Sequence, residues 1–218
     1  MTRRIAMIAA VLTLSLPTYA GVASAQARNF NVNYTSRATF RTDAPLETIV
    51  GTTGGQGTVT GTVVVDPAKP ADAKGTIKVD LNALKTGIDR RDTHMRSKDF
   101  FDSEGNEANR YATFELKSLE VTGPLEAGKT TPAKARGTLT IHGKAIDTVA
   151  DVTVNYIKLA PDQVEAQKRF GFTAENMRVT AKFATTFTNH GMQVPQLFFL
   201  KVSNEIQLET DLVLVLAP

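Results

Sequence analysis

The strongest constraint on this chain is a period of two. Ile146, Thr148, Ala150, Val152 and Val154 alternate with residues that include Asp147, Asp151 and Thr153, and Ile206, Leu208, Thr210, Leu212, Leu214 and Leu216 form a second such series. Successive side chains of a strand point to opposite faces, so this pattern fits a strand with one buried and one wet face and fits no helix. It recurs at Val32, Tyr34, Ala38 and Phe40; at Val59, Gly61, Val63 and Val65; at Ile77, Val79 and Leu81; at Phe114 and Leu116; at Gly137, Leu139 and Ile141; and at Val179, Ala181, Phe183, Thr185 and Phe187. About eight strands are predicted. Between them lie turn signals such as Gly54-Gly55, Gly123-Pro124, Gly143-Lys144 and Asn189-His190-Gly191. Only residues 161–168 and one charged segment read as helix. No repeat, low-complexity tract or long linker divides the chain, so a single all-β domain is expected over residues 26–218. The pattern alone leaves a sandwich and a closed eight-stranded antiparallel barrel both open.

Residues 1–25 read as a secretory signal peptide: Arg3 and Arg4 form its charged start, residues 5–16 its apolar core and Ala23-Ser24-Ala25 its cleavage site. That core is too short to span a bilayer. The expected destination is the periplasm or the medium. With 0 cysteines there is neither a disulfide nor an acylation site, so no stable membrane anchor is expected. The leader holds two of the 25 basic residues and none of the 22 acidic ones, leaving 23 against 22. So balanced a chain gives no electrostatic reason to bind nucleic acid.

One segment breaks the alternation. Thr86-Gly87-Ile88-Asp89-Arg90-Arg91-Asp92-Thr93-His94-Met95-Arg96-Ser97-Lys98-Asp99-Phe100-Phe101-Asp102 is a block of charge closed by two aromatics. As a short helix it would set Arg90, His94, Ser97 and Phe101 on one face and Asp92 over Arg96. The bland reading is a solvated loop or helix end with locally paired charges, in which Arg91 forms a salt bridge holding the segment to the barrel, with Asp92 or Asp99 as partner.

Catalytic and metal chemistry find little support. His94, His142 and His190 are isolated, the last two beside glycines in predicted turns, and no pair has ligand spacing. Three exposed or loop histidines are the expectation. Asp92 and His94, two apart on a helix, point to different faces, and no nucleophile elbow or phosphate loop is present. No catalytic residue, metal or cofactor is assigned.

The charged block resembles the pattern Thr-Gly-x-x-x-Arg-Asp-x-His-Met/Leu-Arg-Ser-x-Asp-Phe-Phe of the YceI-like, polyisoprenoid-binding family, matching at Thr86, Gly87, Arg91, Asp92, His94, Met95, Arg96, Ser97, Asp99, Phe100 and Phe101. Arg136-Gly137-Thr138-Leu139-Thr140-Ile141-His142-Gly143 resembles the family's Gly-x-Leu-Thr-Ile-x-Gly hairpin. The chain departs from the family's habit in three places. The first strand has no histidine, Tyr111 stands where proline is usual, and Ala181-Lys182-Phe183-Ala184-Thr185 replaces Arg-x-Asp-Phe-Gly.

The resemblance implies a lipocalin-like eight-stranded barrel with a short helical charged segment. It also implies a carrier or scavenger of an isoprenoid lipid or isoprenoid-tailed quinone. In that reading Arg90, Arg91, His94 and Arg96 meet the head group. Phe100 and Phe101 mark the step to an apolar interior lined by Phe114, Leu139, Phe183, Phe187, Leu208 and Leu212. Small inward residues, among them Ala38, Gly61, Gly137, Ala150, Ala181 and Thr185, would leave room. Rival readings are a structural or stress-response interaction protein with a filled barrel and an enzyme using His94 on an apolar substrate. A homodimer is left open.

Overall fold

The protein was analysed as a computed structural model that describes residues 26–53, 55–197 and 200–218; the leader read in residues 1–25 and Gly54 of the first turn signal lie outside them. In chain order the strands are β1 (Arg28–Val32), β2 (Arg37–Ala44), β3 (Glu47–Thr52), β4 (Val59–Val65), β5 (Lys74–Asp80), β6 (Tyr111–Val121), β7 (Thr130–Ile141), β8 (Lys144–Lys158), β9 (Glu175–Thr186), β10 (Gln196–Leu197), β11 (Leu200–Lys201) and β12 (Glu205–Leu216). Two helices, α1 (Asp89–Arg96) and α2 (Pro161–Gln167), interrupt them.

Neighbours pair in the order β1-β4-β5-β6-β7-β8-β9-β12, and β12 returns to β1 through Phe30↔Leu216 and Val32↔Leu214. Eight antiparallel strands thus close a barrel, as expected, and closure removes the sheet edges. The β2–β3 hairpin prolongs the ring toward one end. β2 pairs with β12, Phe40 opposite Leu208, while β3 pairs with β2 and is bridged to the connection after β5 through Thr52↔Lys85.

The strand predicted across Val32 to Phe40 is in fact two. Asn33 Oδ1 accepts from Thr35 N (3.0 Å) and Thr35 Oγ1 (2.9 Å), a local turn, and Ser36 Oγ accepts from Val213 N (3.0 Å). These side chains satisfy the backbone where the ladder stops, and Tyr34 turns outward. Strand β3 is not foreseen by the alternation, since Gly51 interrupts it. A Cβ at Gly51 would stand 2.1 Å from the Phe40 ring, so this glycine lets the ring of its cross-strand partner lie flat over the sheet.

Outward positions carry charge. Lys117–Asp147 and Lys134–Asp151 (each 2.8 Å), Arg178–Asp211 (2.8 Å) and Lys182–Glu209 (3.4 Å) form cross-strand ion pairs where a membrane-spanning barrel carries an apolar band. Exposed pairs of this kind contribute only about 0–1 kcal/mol each. Stability comes from inside, where two apolar clusters meet, one around Phe30, Val154 and Leu214 and the other around Leu81, Met95, Phe101 and Phe187.

Helix α1 is shorter than the charged block. Ser97 ends it with Oγ donating to His94 O (2.8 Å), so Ser97 and Phe101 leave the helix and the predicted four-residue face does not form. Phe101 turns inward and is buried. Helix α2 falls within the predicted 161–168, on an exposed connection.

Candidate ligand cavity

The barrel encloses a cavity of about 270 Å³ that borders both apolar clusters. That is close to the lower limit of small-molecule pockets, about 300–1,000 Å³. Its wall is built by strand alternation: Ala135 faces Ala150 across β7 and β8, and Ala181 faces Thr210, which faces Ala38, across β9, β12 and β2. Of the small residues predicted to leave room, Ala38, Ala150 and Ala181 border the space and Gly61, Gly137 and Thr185 do not. Gly137 is covered by Phe114, whose Cζ would lie 2.6 Å from an added Cβ. Thr185 Oγ1 instead bonds His190 Nε2 at 2.9 Å.

Two long connections, residues 81–110 and the described residues 187–197 and 200–204, frame one end. Across it runs an aromatic chain. His94 stacks on Phe100 (6.2 Å between centroids), Phe100 meets Phe101 edge-on (4.6 Å), and Phe100 meets Phe187 of the other connection (5.5 Å). Such contacts contribute about 0.5–1.5 kcal/mol each beyond area burial. Phe100, Phe101, Phe114, Leu139, Phe183, Phe187, Leu208 and Leu212 all border the cavity. Of the four predicted head-group residues, Arg91 and His94 border it too. Arg90 is exposed to solvent and does not. Arg96 is half-buried away from the cavity, its Nη1 without a partner among the described residues.

The charged block is fixed by local bonds to Thr86 at its start and by one long-range ion pair to β3. Asp92, 2 % exposed, accepts from Thr86 N (2.9 Å) and Thr86 Oγ1 (2.6 Å), with Lys85 Nζ 4.0 Å away. Burial works to raise its pKa, but the Thr86 bonds and the Lys85 and Arg96 charges outweigh it and hold the carboxyl below the usual range. Arg91 donates from Nε to Thr86 Oγ1 (3.1 Å) and from Nη1 to Glu47 Oε1 (3.0 Å). Its carboxylate partner is therefore Glu47 on β3, and neither Asp92 nor Asp99. Gly87, at φ 82°, makes the sharp turn into α1.

His190 also departs from expectation. It is fully buried, its Nδ1 3.2 Å from Lys144 O, and desolvation pushes its pKa down against that bond. Among the described residues no group of His, Cys, Asp or Glu is arranged to hold a metal. Sequence reasoning missed Phe40, Met95 and Met192 as wall residues and Glu47 as the anchor of Arg91. The methionines stand in loop or helix context with no periodic signal, and Glu47 lies on the unforeseen strand.

A model of the YceI-like domain matches residues 29–214. Over 88 residues, 40% of this chain and 42% of the relative, the chain is 40% identical to a UPF0312 protein of Pseudomonas fluorescens. Over 83 residues, 36% of this chain and 37% of the relative, it is 36% identical to a UPF0312 protein of Vibrio cholerae. These matches span about two fifths of the curated relatives' length. Among solved structures, a polyisoprenoid binding domain from Saccharophagus degradans, implicated in plant cell wall breakdown, superposes with TM-score 0.61 at 14% identity, covering 88% of this chain and 100% of that one. Burkholderia cenocepacia BcnA superposes with TM-score 0.60 at 18% identity, covering 82% and 95%. The Campylobacter jejuni YceI protein gives 0.55 at 20% identity, covering 73% and 81%. At these identities the superpositions establish a shared fold.

Proposed function

The chain belongs to the YceI-like family, and on that premise we propose that it is an exported carrier or scavenger that holds an isoprenoid lipid or an isoprenoid-tailed quinone inside its barrel. The observation that carries this reading is the cavity: its wall is almost wholly apolar, and Arg91 and His94 stand where it meets the charged block. Burying hydrocarbon gains about 0.8 kcal/mol per methylene, so the tail sets affinity. Arg91 offers planar donors for a phosphate or carbonyl oxygen, and His94 adds a donor beside it. The polyisoprenoid-binding description of the Saccharophagus degradans domain supports the ligand class, and the leader read in residues 1–25 supports work outside the cytoplasm.

Native mass spectrometry of the mature protein from its own periplasm, followed by organic extraction, tests the proposal. The expected result is a near-stoichiometric prenyl lipid or quinone. A clean apo mass that persists after incubation with polyprenyl phosphates and quinones overturns it. Arg91→Ala is expected to weaken binding of a polyprenyl phosphate about tenfold or more while leaving the tail alcohol unaffected, the loss of a charge-assisted bond. Glu47→Ala controls for the latch that Arg91 also serves.

A further inference from the structure

The cavity has a waist. Phe114 on β6 and Phe183 on β9 pack against both apolar clusters, and their rings face each other inside the barrel at 5.9 Å between centroids and 42° between planes. Both rings border the cavity and both are only half-buried. On the side of the charged block the wall is aromatic and thioether, with Phe40, Met95, Phe100 and Met192. On the other side it is small and aliphatic, with Ala135, Ala150, Val152 and Val154. From the level of Leu208, the cross-strand partner of Phe183, the second chamber continues along β12 to Leu214. At the usual strand rise, shortened by barrel tilt, that is a depth of about 15 Å.

We propose that the Phe114–Phe183 pair selects ligands by tail length: a short isoprenoid is held in the chamber beside the charged block, and a longer one binds only by displacing a ring to reach the second. The inference rests on the proposed function and adds to it a residue-level determinant of specificity. The two rings are not equivalent. Phe114 lies over Gly137, which has no Cβ to lift it away, and Phe114 also faces Leu139 on the neighbouring strand. Ring 114 is therefore the fixed jamb and ring 183 the side that gives. A waist of this kind costs a long tail the aromatic contact and costs a short tail nothing, so selectivity follows from differential binding rather than from overall affinity.

Binding of geraniol and geranylgeraniol to the mature protein, to Phe183→Ala and to the more conservative Phe183→Leu tests the inference by titration of both alcohols. Opening the waist is expected to raise affinity for geranylgeraniol relative to geraniol by about tenfold in the alanine variant, by release of the contact and free burial of methylenes, with leucine between. In the converse variant, Ala150→Leu, filling the second chamber is expected to weaken geranylgeraniol by about tenfold and leave geraniol unchanged. If both alcohols bind and their ratio stays at the wild-type value in the folded Phe183 variants, the inference falls while the carrier reading stands. If neither alcohol binds the wild-type protein, both fall.

Discussion

The two ends of the barrel use polar side chains in opposite ways. At the end away from α1, a set of polar groups pairs internally, although Asn155 Oδ1 nearby is buried without a partner among the described residues. Tyr156 donates to Glu175, Arg28 pairs with the same carboxylate, and Asn33 Nδ2 donates to Phe170 O at 2.9 Å. Above them Phe30 is fully buried. Burial would raise the Glu175 carboxyl, but the Tyr156 and Arg28 bonds hold it below its usual range, and burial with that same carboxylate raises the Tyr156 phenol. At the α1 end, Asp92, Thr86 and Glu47 hold the backbone and Arg91, yet His94 and part of Arg91 still face the cavity. One end is closed by side chains bonded to one another, and the other leaves part of its polar set facing the cavity. One sheet carries both because each end is finished by different connections.

Changes at the two ends should therefore separate stability from access. The largest effect is expected at the closed end: Phe30→Ala removes a fully buried ring and should cost about 3–5 kcal/mol in urea unfolding. Asp92→Ala should cost about 1–3 kcal/mol and deprotect the amides of residues 86–103 in hydrogen exchange, leaving those of β1 and β12 unchanged. An equal loss of protection at both ends would break the distinction. Because the native Asp92 pKa is lowered, its contribution is complete above the ordinary aspartate value of about 4 and disappears as pH falls through the native one.

His190 sharpens the contrast within the receptive end. Its native pKa is lowered, so the unfolded chain binds the proton more readily; stability is full above about pH 6.5 and is lost on acidification, by up to about 1.4 kcal/mol per pH unit. His190→Gln should flatten that part of the stability curve, and an unchanged slope assigns the acid sensitivity elsewhere. The smallest effect belongs to Glu47→Ala. This half-exposed pair contributes about 0–1 kcal/mol, but its loss should free α1 and raise the ligand off-rate measured by stopped flow.

Much of the barrel was legible because alternation is local. The runs ending at Val154 and Leu216 became β8 and β12 with their apolar faces inward, and the charged block did contain a helix. The break at residues 33–36 was not legible, since it depends on Asn33 and Ser36 meeting Phe170, 137 residues from Asn33, and Val213, 177 from Ser36. Nor was the burial of His190, whose neighbouring Gly191 reads as an exposed turn until Thr185 and Lys144 O are brought to the ring.

The sequence by itself determined which faces of the strands are apolar, that about eight such strands are present, and that one dense group of charges adjoins two aromatics. These are properties of neighbours two to four residues apart, and local sterics and hydrophobic periodicity decide them. Only the tertiary structure decided that Arg91 belongs to Glu47, that Phe114 and Phe183 narrow the interior, and that small residues on five strands enclose space rather than fill it. Those outcomes depend on register and ring closure, which bring together residues far apart in the chain.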